Sequence, residues 1–338
     1  MIGACALAPF TSACGSWTDS SSESRQDSTG CGPPRLWYED NNMGTRGGIP
    51  ADFKEKFYRP DTWARAREAT DVYYIRAPTL LNPANGLDDS FLRDSFVPVL
   101  EESNVKIAID AVGARFLNHH SGGTAFINRE MALVKKLRAM GGQVKYIALQ
   151  SVLSKPLREK GQVVEYPMQQ RIQDVVEYAK IAQRHLPEAE IGIIDALPSK
   201  GQDYQVPYGD LAAALGDGLK LDFVHLDCPY EVAQEGVRIT WDGIKQVESF
   251  VKREIAARFG LVSTSRTGGE TSDEMWNDNV LDVQRQYAKV NGNPDEYVIM
   301  SWFPHPSSSI PEETGPGRFP DMKTVLSFAQ RLSRCGGQ

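Results

Sequence analysis

The sequence predicts a single (β/α)8 TIM barrel, the α/β fold in which eight parallel strands alternate with helices. Eight short apolar runs recur along the chain, separated by segments that mostly carry apolar residues at helical spacing. The runs 105–110, 191–195 and 221–227 are apolar on both faces, which is typical of a parallel sheet covered by helices. All three end in Asp, at the point where a barrel strand opens into the active site.

The elements follow one another in alternating order. Strands are predicted at 35–40, 72–77, 105–110, 144–150, 191–195, 221–227, 259–265 and 297–303, and helices at 61–69, 91–102, 128–140, 166–186, 208–215, 244–258, 274–291 and 322–333. The alternative is an open doubly wound sheet, which normally carries a glycine-rich phosphate turn after its first strand. Gly44, Gly47 and Gly48 lack that fingerprint, so the barrel is favoured.

Composition and charge exclude two classes of partner. The net charge of −7 and the scattered Lys and Arg residues argue against a protein that binds the phosphate backbone of nucleic acid. No apolar run approaches the ~18 residues that span a bilayer. We therefore expect no nucleic-acid partner, and a membrane contact only through a lipid.

The first 30 residues predict export rather than folded structure. A short apolar stretch leads to the segment TSACG (11–15) and a Ser-rich tail, which resembles a bacterial lipoprotein signal with Cys14 as the lipidated residue. A basic segment is missing and Thr11 stands where Leu is usual, so a disordered tail is the alternative. We expect a secreted or cell-surface lipoprotein, with residues 31–338 forming the barrel and Cys31 and Cys335 able to pair across it.

Acidic and polar side chains follow several predicted strands and so should meet at one rim of the barrel. Glu39, Asp110, Gln150, Asp195 and Asp227 hold these positions. Paired carboxylates suit cleavage of a glycosidic bond, in which one protonates the leaving oxygen and the other attacks or activates water. We expect Asp195 as the acid, Asp227 as the nucleophile or base, and Asp110 as a third acidic contact. The alternative is that such an Asp caps a helix or binds a loop amide.

Further side chains are candidates for binding a sugar. Trp302 follows the last predicted strand, where its flat face can stack on a pyranose ring, and Trp37 and Trp276 can add to that platform. His225 lies two residues before Asp227 on the same strand face, where it either orients that carboxylate or is an interior histidine. The remaining candidates are Glu270 and His305, which lie in predicted loops.

No metal or cofactor is expected. A metal-dependent hydrolase would need several converging histidines, usually with an HxH pair on an early strand. The first predicted strand ends in Glu39 and Asp40 instead, although His119 and His120 follow the third strand. The sequence also has no GxSxG nucleophile motif.

The C-terminal segment resembles that of a group of uncharacterised bacterial proteins described as glycosyl hydrolases. The shared features are Ser301-Trp302, His305-Pro306, Pro311-Glu312 and Thr324, with similar motifs at 225–227 and 272–276. The resemblance implies a (β/α)8 barrel that acts on carbohydrate. This chain departs from the group by having Gln150-Ser151 where an acidic pair is usual, so a noncatalytic carbohydrate-binding lipoprotein is the alternative function.

Overall fold

Eight parallel strands close into a barrel, which confirms the predicted (β/α)8 fold. The computed structural model describes residues 33–41, 49–117, 123–159, 162–216 and 218–335. The barrel strands are β1 (Arg35–Tyr38), β2 (Val72–Arg76), β3 (Lys106–Ala111), β4 (Val144–Gln150), β7 (Glu190–Asp195), β8 (Phe223–Leu226), β9 (Arg258–Ser263) and β10 (Glu296–Ile299). They pair in the order β1-β10-β9-β8-β7-β4-β3-β2, and β2 closes the ring on β1. A small antiparallel hairpin joins β5 (Leu157–Glu159) to β6 (Gln162–Val164) after β4.

Helices cover the outside of the barrel. They are α1 (Phe53–Tyr58), α2 (Ala64–Glu68), α3 (Ala77–Leu81), α4 (Asp89–Phe91), α5 (Val97–Glu102), α6 (Gly123–Ala139), α7 (Met168–His185), α8 (Gln205–Leu215), α9 (Tyr230–Glu235), α10 (Trp241–Phe250), α11 (Arg266–Thr271), α12 (Asp273–Lys289) and α13 (Asp321–Cys335). Outward-facing strand residues pack against them in one large apolar core. Apolar residues at helical spacing in the sequence predict such a core between the strands and the surrounding helices.

The structure also corrects the element list. The hairpin β5–β6 and the short helices α1, α3, α9 and α11 lie in segments that the sequence predicts as loops. Helix α11 begins because the Ser265 hydroxyl accepts a hydrogen bond from the Gly268 amide, a short-range cap inside a glycine-bearing segment. Ser272 caps α12 in the same way, because its hydroxyl accepts a hydrogen bond from the Met275 amide.

A second, inner core fills the barrel with aromatic rings. Trp37 contacts Tyr146, Phe223 and His225 at ring-centroid distances of 4.7–5.3 Å. The imidazole of His225 fits because its neighbour on β9 is Gly260, where a Cβ would lie 2.3 Å from the ring. The barrel is therefore a packed core, and ligands can reach only its ends.

Charged residues close the end of the barrel where the strands begin. Glu296 accepts hydrogen bonds from Arg258 at 2.9 Å and pairs with the buried imidazole of His225. Arg35 lies 3.6 Å from the same carboxylate and donates to the Tyr146 hydroxyl. The pKa of Glu296 is lowered, because these partners outweigh its burial.

A buried lysine connects the end of β1 to the C-terminal segment. The Lys56 ammonium donates to Asp40 at 2.6 Å and lies within 5.5 Å of five aromatic ring centres. Asp40 also accepts from Ser309, while Asp321, at the start of α13, accepts from Tyr38. The chain's last segment is thus part of the structure that holds the residue next to Glu39.

The export prediction lies outside the described residues. Residues 1–30, with Cys14, and residue Cys31 belong to the part that is not described, and the pairing of Cys31 with Cys335 stays a prediction. Within the described ranges, no helix is both long and apolar enough to cross a bilayer. Cys228 is buried there as a free thiol.

Candidate active site at the barrel mouth

Inward-facing residues at the ends of the strands form the barrel mouth. Strand side chains alternate, so the positions two residues beyond each inner-core residue continue the inner face. The positions that follow this alternation are Glu39, Arg76, Asp110, Gln150, Ala196, Asp227, Thr264 and Trp302. Five of the predicted site residues, Glu39, Asp110, Gln150, Asp227 and Trp302, are in this set. The alternation therefore assigns acids from separate strands, Glu39, Asp110 and Asp227, to the inner face at one end of the barrel.

An arginine and two acids occupy one side of the mouth. Arg76 Nε donates to Asp110 Oδ2 at 2.7 Å, and Arg76 Nη2 lies 3.4 Å from Gln150 Oε1. Both carboxylate oxygens of Glu39 are buried without a hydrogen-bond partner among the described residues. Burial raises the pKa of Glu39 well above its usual range, and the charge of Asp110 raises it further. Burial also raises the pKa of Asp110, while Arg76 opposes that shift.

Asp227 lies across the mouth from this cluster. Strand β8 is three strands from both β1 and β3 around the ring. Asp227 is half-buried, and the described residues offer its carboxylate no hydrogen bond. Burial raises its pKa to about 7, with a further contribution from the charge of Asp195, while Lys200 and Lys155 act in the opposite direction. A carboxyl group with such a pKa can exchange a proton near neutral pH.

The expected pairing of Asp195 with Asp227 needs correction. Their strands are neighbours, as predicted, but Asp195 has the alternation of Ile191 and Ile193, which face the helices. Asp195 Oδ2 accepts from the Leu153 and Ser154 amides at 3.0 and 3.1 Å, and Oδ1 accepts from the Leu197 amide. Both oxygens are therefore occupied by backbone amides. This geometry matches the loop-binding alternative rather than an acid that faces substrate.

The three tryptophans have different surroundings. Trp302 is half-buried and packs on top of the inner core, as expected of a platform at the mouth. Trp37 lies one layer deeper, because it precedes Glu39 by two residues on the same face, and it is fully buried. Trp276 is buried on α12 within the outer core. Of these three tryptophans, Trp302 is the one that is available to a ligand at the mouth.

The remaining predicted contacts lie away from the mouth or at its outer edge. His225 is buried and paired with Glu296 near the other end of the barrel, which matches the interior-histidine alternative. Glu270 is exposed on α11 and pairs with Arg266 four residues earlier. His305 bonds through Nδ1 to Asp273 at the start of α12. These three side chains therefore have partners other than the carboxylates of the mouth.

The cationic residues near the mouth, Arg76, Arg115 and Lys155, were not predicted as site residues from the sequence. Arg76 ends the run VYYIR with the same alternation as Val72 and Tyr74, so strand periodicity was a usable signal for it. Arg115 and Lys155 lie in the segments after β3 and β4, where no periodic pattern predicts the direction of a side chain. Both influence the pKa values of acids at the mouth.

The described residues contain no group of three or more His, Cys, Asp or Glu side chains arranged to hold a metal ion. His119 and His120 lie outside those residues.

Comparisons with known proteins agree with the fold. No family model and no curated protein matches the sequence. Among solved structures, the chain is similar to GH5_18 from Streptomyces cattleya in complex with GlcNAc, with a TM-score of 0.54 and 12% identity over 90% of this chain and 81% of that chain. It is similar to xylanase 10B from Thermotoga maritima, with a TM-score of 0.52 and 12% identity over 89% and 97% of the two chains.

A third similar structure, SacUVDE, has a TM-score of 0.51 and 11% identity over 90% of this chain and all of that chain. At these identities the likeness concerns the fold alone. The chain is a TIM barrel whose structural neighbours include glycoside hydrolases.

Proposed function

We propose that this protein is a glycoside hydrolase whose reaction takes place at the barrel mouth. The observation that supports the proposal is that strand alternation assigns acids from separate strands, Asp227 on one side and Asp110 with Glu39 on the other, to the inner face at the same end of the barrel. Trp302 beside them offers an apolar face for a sugar ring. The similarity to a xylanase and to GH5_18 adds support from the fold.

The electrostatics suggest roles that differ from those expected from the sequence. Asp227, with a pKa of about 7, is about half protonated at neutral pH and suits the general acid that protonates the leaving oxygen. Arg76 favours the ionised form of Asp110, which suits a nucleophile or a base. The charge of Asp110 raises the pKa of Glu39 beyond the effect of burial, which favours the protonated form of Glu39 beside Asp110.

The test is digestion of a glycan panel with product analysis, using the full chain and two variants. Asp227→Asn should lower turnover at least about 100-fold, because general acid catalysis contributes roughly 10²–10⁴-fold. Asp242→Asn removes an exposed carboxylate on α10 and serves as the control with unchanged turnover. Unchanged turnover in Asp227→Asn, with the control also unchanged, would reject this assignment.

The alternative is a noncatalytic carbohydrate-binding protein. It is motivated by Gln150, an amide at the end of β4 that contacts Arg76 and stands where the bacterial proteins that the chain resembles usually carry an acidic pair. Saccharide binding by the parent protein, with no product formed from any glycan of the panel, would favour this alternative. Export as a lipoprotein remains a proposal that rests on the sequence around Cys14 alone.

A further inference from the structure

A surface groove runs between helices α8 and α10, outside the barrel mouth. It consists of two adjoining parts with volumes of about 580 and 600 Å³, which share Tyr204, Gln205 and Gln246. Sites for drug-sized ligands usually hold roughly 300–1,000 Å³. The groove is therefore large enough for an extended ligand.

The groove begins at the end of the barrel where Asp227 lies. One wall includes Pro198 and Gly201 in the loop after β7, and the other includes Arg238 in the loop between α9 and α10. Gly201 has a φ of +70°, and a Cβ there would lie 3.7 Å from the Cβ of Arg238, so the two walls meet at this point. These loops follow the strands β7 and β8, whose ends carry Asp195 and Asp227.

A tyrosine ring forms the floor where the two parts of the groove join. Tyr204 is half-buried, and its ring centroid lies 6.0 Å from that of Tyr208 on α8 and 5.6 Å from that of Phe250 on α10. Lining residues recur at helical spacing along the α10 side from Gly243 to Arg253, a rise of about 15 Å at 1.5 Å per residue. This length suits a chain of linked units better than a single ring.

Uncharged hydrogen-bonding groups line the groove. Gln202, Gln205 and Gln246 are exposed, and their side-chain amides form no hydrogen bond within the described residues. The hydroxyl of Tyr204 and the guanidinium of Arg238 also have no partner in that part of the chain. An amide offers both donors and an acceptor, so it can exchange hydrogen bonds with hydroxyl groups, which have the same two capacities.

The charges of the groove nearly cancel. Its charged lining residues are Arg238, Lys245, Arg253, Asp203 and Glu254. Lys245 Nζ lies 2.8 Å from a carboxylate oxygen of Glu248, which supplies a third acid beside the three cations. The groove therefore lacks the excess of one charge sign that would select an ion.

Aliphatic side chains border the same groove. Val206 directly follows Gln205 and is 62% exposed, and Val237 directly precedes Arg238 and is 80% exposed. Together with the ring of Tyr204, they offer apolar area beside the amides. Saccharides present both hydroxyl groups and apolar ring faces, so they match this combination of contacts.

We infer that this groove is a second saccharide-binding site, which holds a neutral oligosaccharide chain outside the mouth, so that the substrate is a polymer. The inference rests on the proposed function, which makes the ligand of this protein a saccharide, and it deepens that function by naming the substrate class. A peptide is the other extended ligand that such a groove could bind, and the experiment below distinguishes the two.

The experiment measures binding of neutral hexasaccharides of glucose, xylose, mannose and N-acetylglucosamine to the full chain by calorimetry. All proteins carry Asp227→Asn, which prevents turnover during the titration. Trp302→Ala removes the platform at the mouth, and the double variant Gln205→Ala/Gln246→Ala removes two amides of the groove. We expect the best hexasaccharide to occupy two sites, of which Trp302→Ala weakens one and the double variant weakens the other about tenfold.

Gln330→Ala, which removes an exposed amide on α13, is the matched control and should leave both affinities unchanged. Urea unfolding checks that the double variant keeps the stability of the parent.

A single site that Trp302→Ala weakens and the double variant leaves unchanged would assign the groove to a peptide or to no ligand and overturn this inference alone. Failure of all four hexasaccharides to bind would also overturn it, while digestion of the glycan panel decides the proposed function separately. Binding that depends on the groove amides, in a protein whose parent forms no product from any glycan, supports this inference and rejects the hydrolase.

Discussion

The guanidinium of Arg76 lies 2.7 Å from the carboxylate of Asp110, at the ends of two paired strands. Asp110 is fully buried and the Arg76 side chain is 12% exposed, so water screens this ion pair only weakly. Glu39 contributes a second buried acid whose pKa depends on the same arginine. Arg76 is therefore the group that makes a buried acidic cluster tolerable.

Replacing Arg76 tests this role. Arg76→Met leaves the buried Asp110 carboxylate without its counter-charge. Because an unpaired buried charge is strongly destabilising, the free energy of unfolding should fall by about 2–4 kcal/mol at pH 7. The loss should be smaller at pH 5 than at pH 7, because burial raises the pKa of both acids and a larger share of them is protonated at the lower pH. Urea unfolding at both pH values measures it. Arg59→Met, which removes an exposed pair with Glu55, is the control and should cost less than about 1 kcal/mol.

The proposed role of Asp227 predicts how activity depends on pH. If Asp227 is the general acid, kcat/KM should fall as pH rises through about 7, because the donor loses its proton there. Lys155→Gln removes a cation that lowers this pKa and should shift the descending limb to higher pH. A pH–rate profile on the best substrate of the glycan panel measures both effects. A descending limb that keeps its position in Lys155→Gln would contradict the assignment.

The same pKa predicts how stability depends on pH. The folded pKa of Asp227 is raised, so the native state binds the proton more tightly than the unfolded chain does. Its contribution to stability is complete below pH ~4, the unfolded value, and is lost as pH rises through about 7. Relative to the parent, Asp227→Asn should therefore gain up to about 3 kcal/mol between pH 5 and pH 8. Chemical unfolding of both proteins at the two pH values gives this difference, and a parallel pair of curves would refute it.

Asp195 should behave as a structural residue. Asp195→Asn keeps one oxygen and replaces the other by a donor that faces a backbone amide, so we expect a loss of about 1–3 kcal/mol in unfolding free energy. Turnover per folded molecule should change far less than in Asp227→Asn. Active-site titration combined with urea unfolding separates the two quantities. Equal kinetic losses in both variants would restore the paired-acid arrangement that the sequence suggested.

Glu296 should matter for folding rather than for ligand binding. Glu296→Gln removes the charge that Arg258 and His225 share in the buried layer, and we expect a loss of about 3–5 kcal/mol. Saccharide affinity of the folded fraction should stay at the parent value, since the mouth is at the other end of the strands. Thermal unfolding and calorimetric binding test the two parts. A changed saccharide affinity together with an unchanged free energy of unfolding would contradict this structural role of Glu296.

The fold could be predicted because it depends on repeated local patterns. All eight barrel strands lie at or within a few residues of their predicted positions, since each is an apolar run of limited length between helical segments. The hairpin β5–β6 and the helix α11 were not predicted, because they depend on a close turn and on a single capping hydroxyl rather than on periodicity.

The site was harder to predict because a shift of one residue changes the face. Asp195 and Asp227 both follow apolar strands, yet one binds loop amides and the other faces the mouth. Asp195 is one residue from the inner-core residue Ile194, whereas Asp227 is four residues from the inner-core residue Phe223, so the two acids lie on opposite faces. The sequence does not reveal which face is the interior when both faces are apolar. Lys155 lies in a loop, where no alternation exists.

The connection between Asp40 and the C-terminal segment has a consequence for synthesis of the chain. Ser309 and Asp321 complete the surroundings of Lys56 and of the β1 end, and Glu312 accepts from the Arg65 and Ala66 amides of α2. While residues 309–321 are still inside the ribosome, Asp40 lacks its hydrogen bond from Ser309. The surroundings of Asp40, the residue that follows Glu39, are therefore complete only after the C-terminal segment has been synthesised.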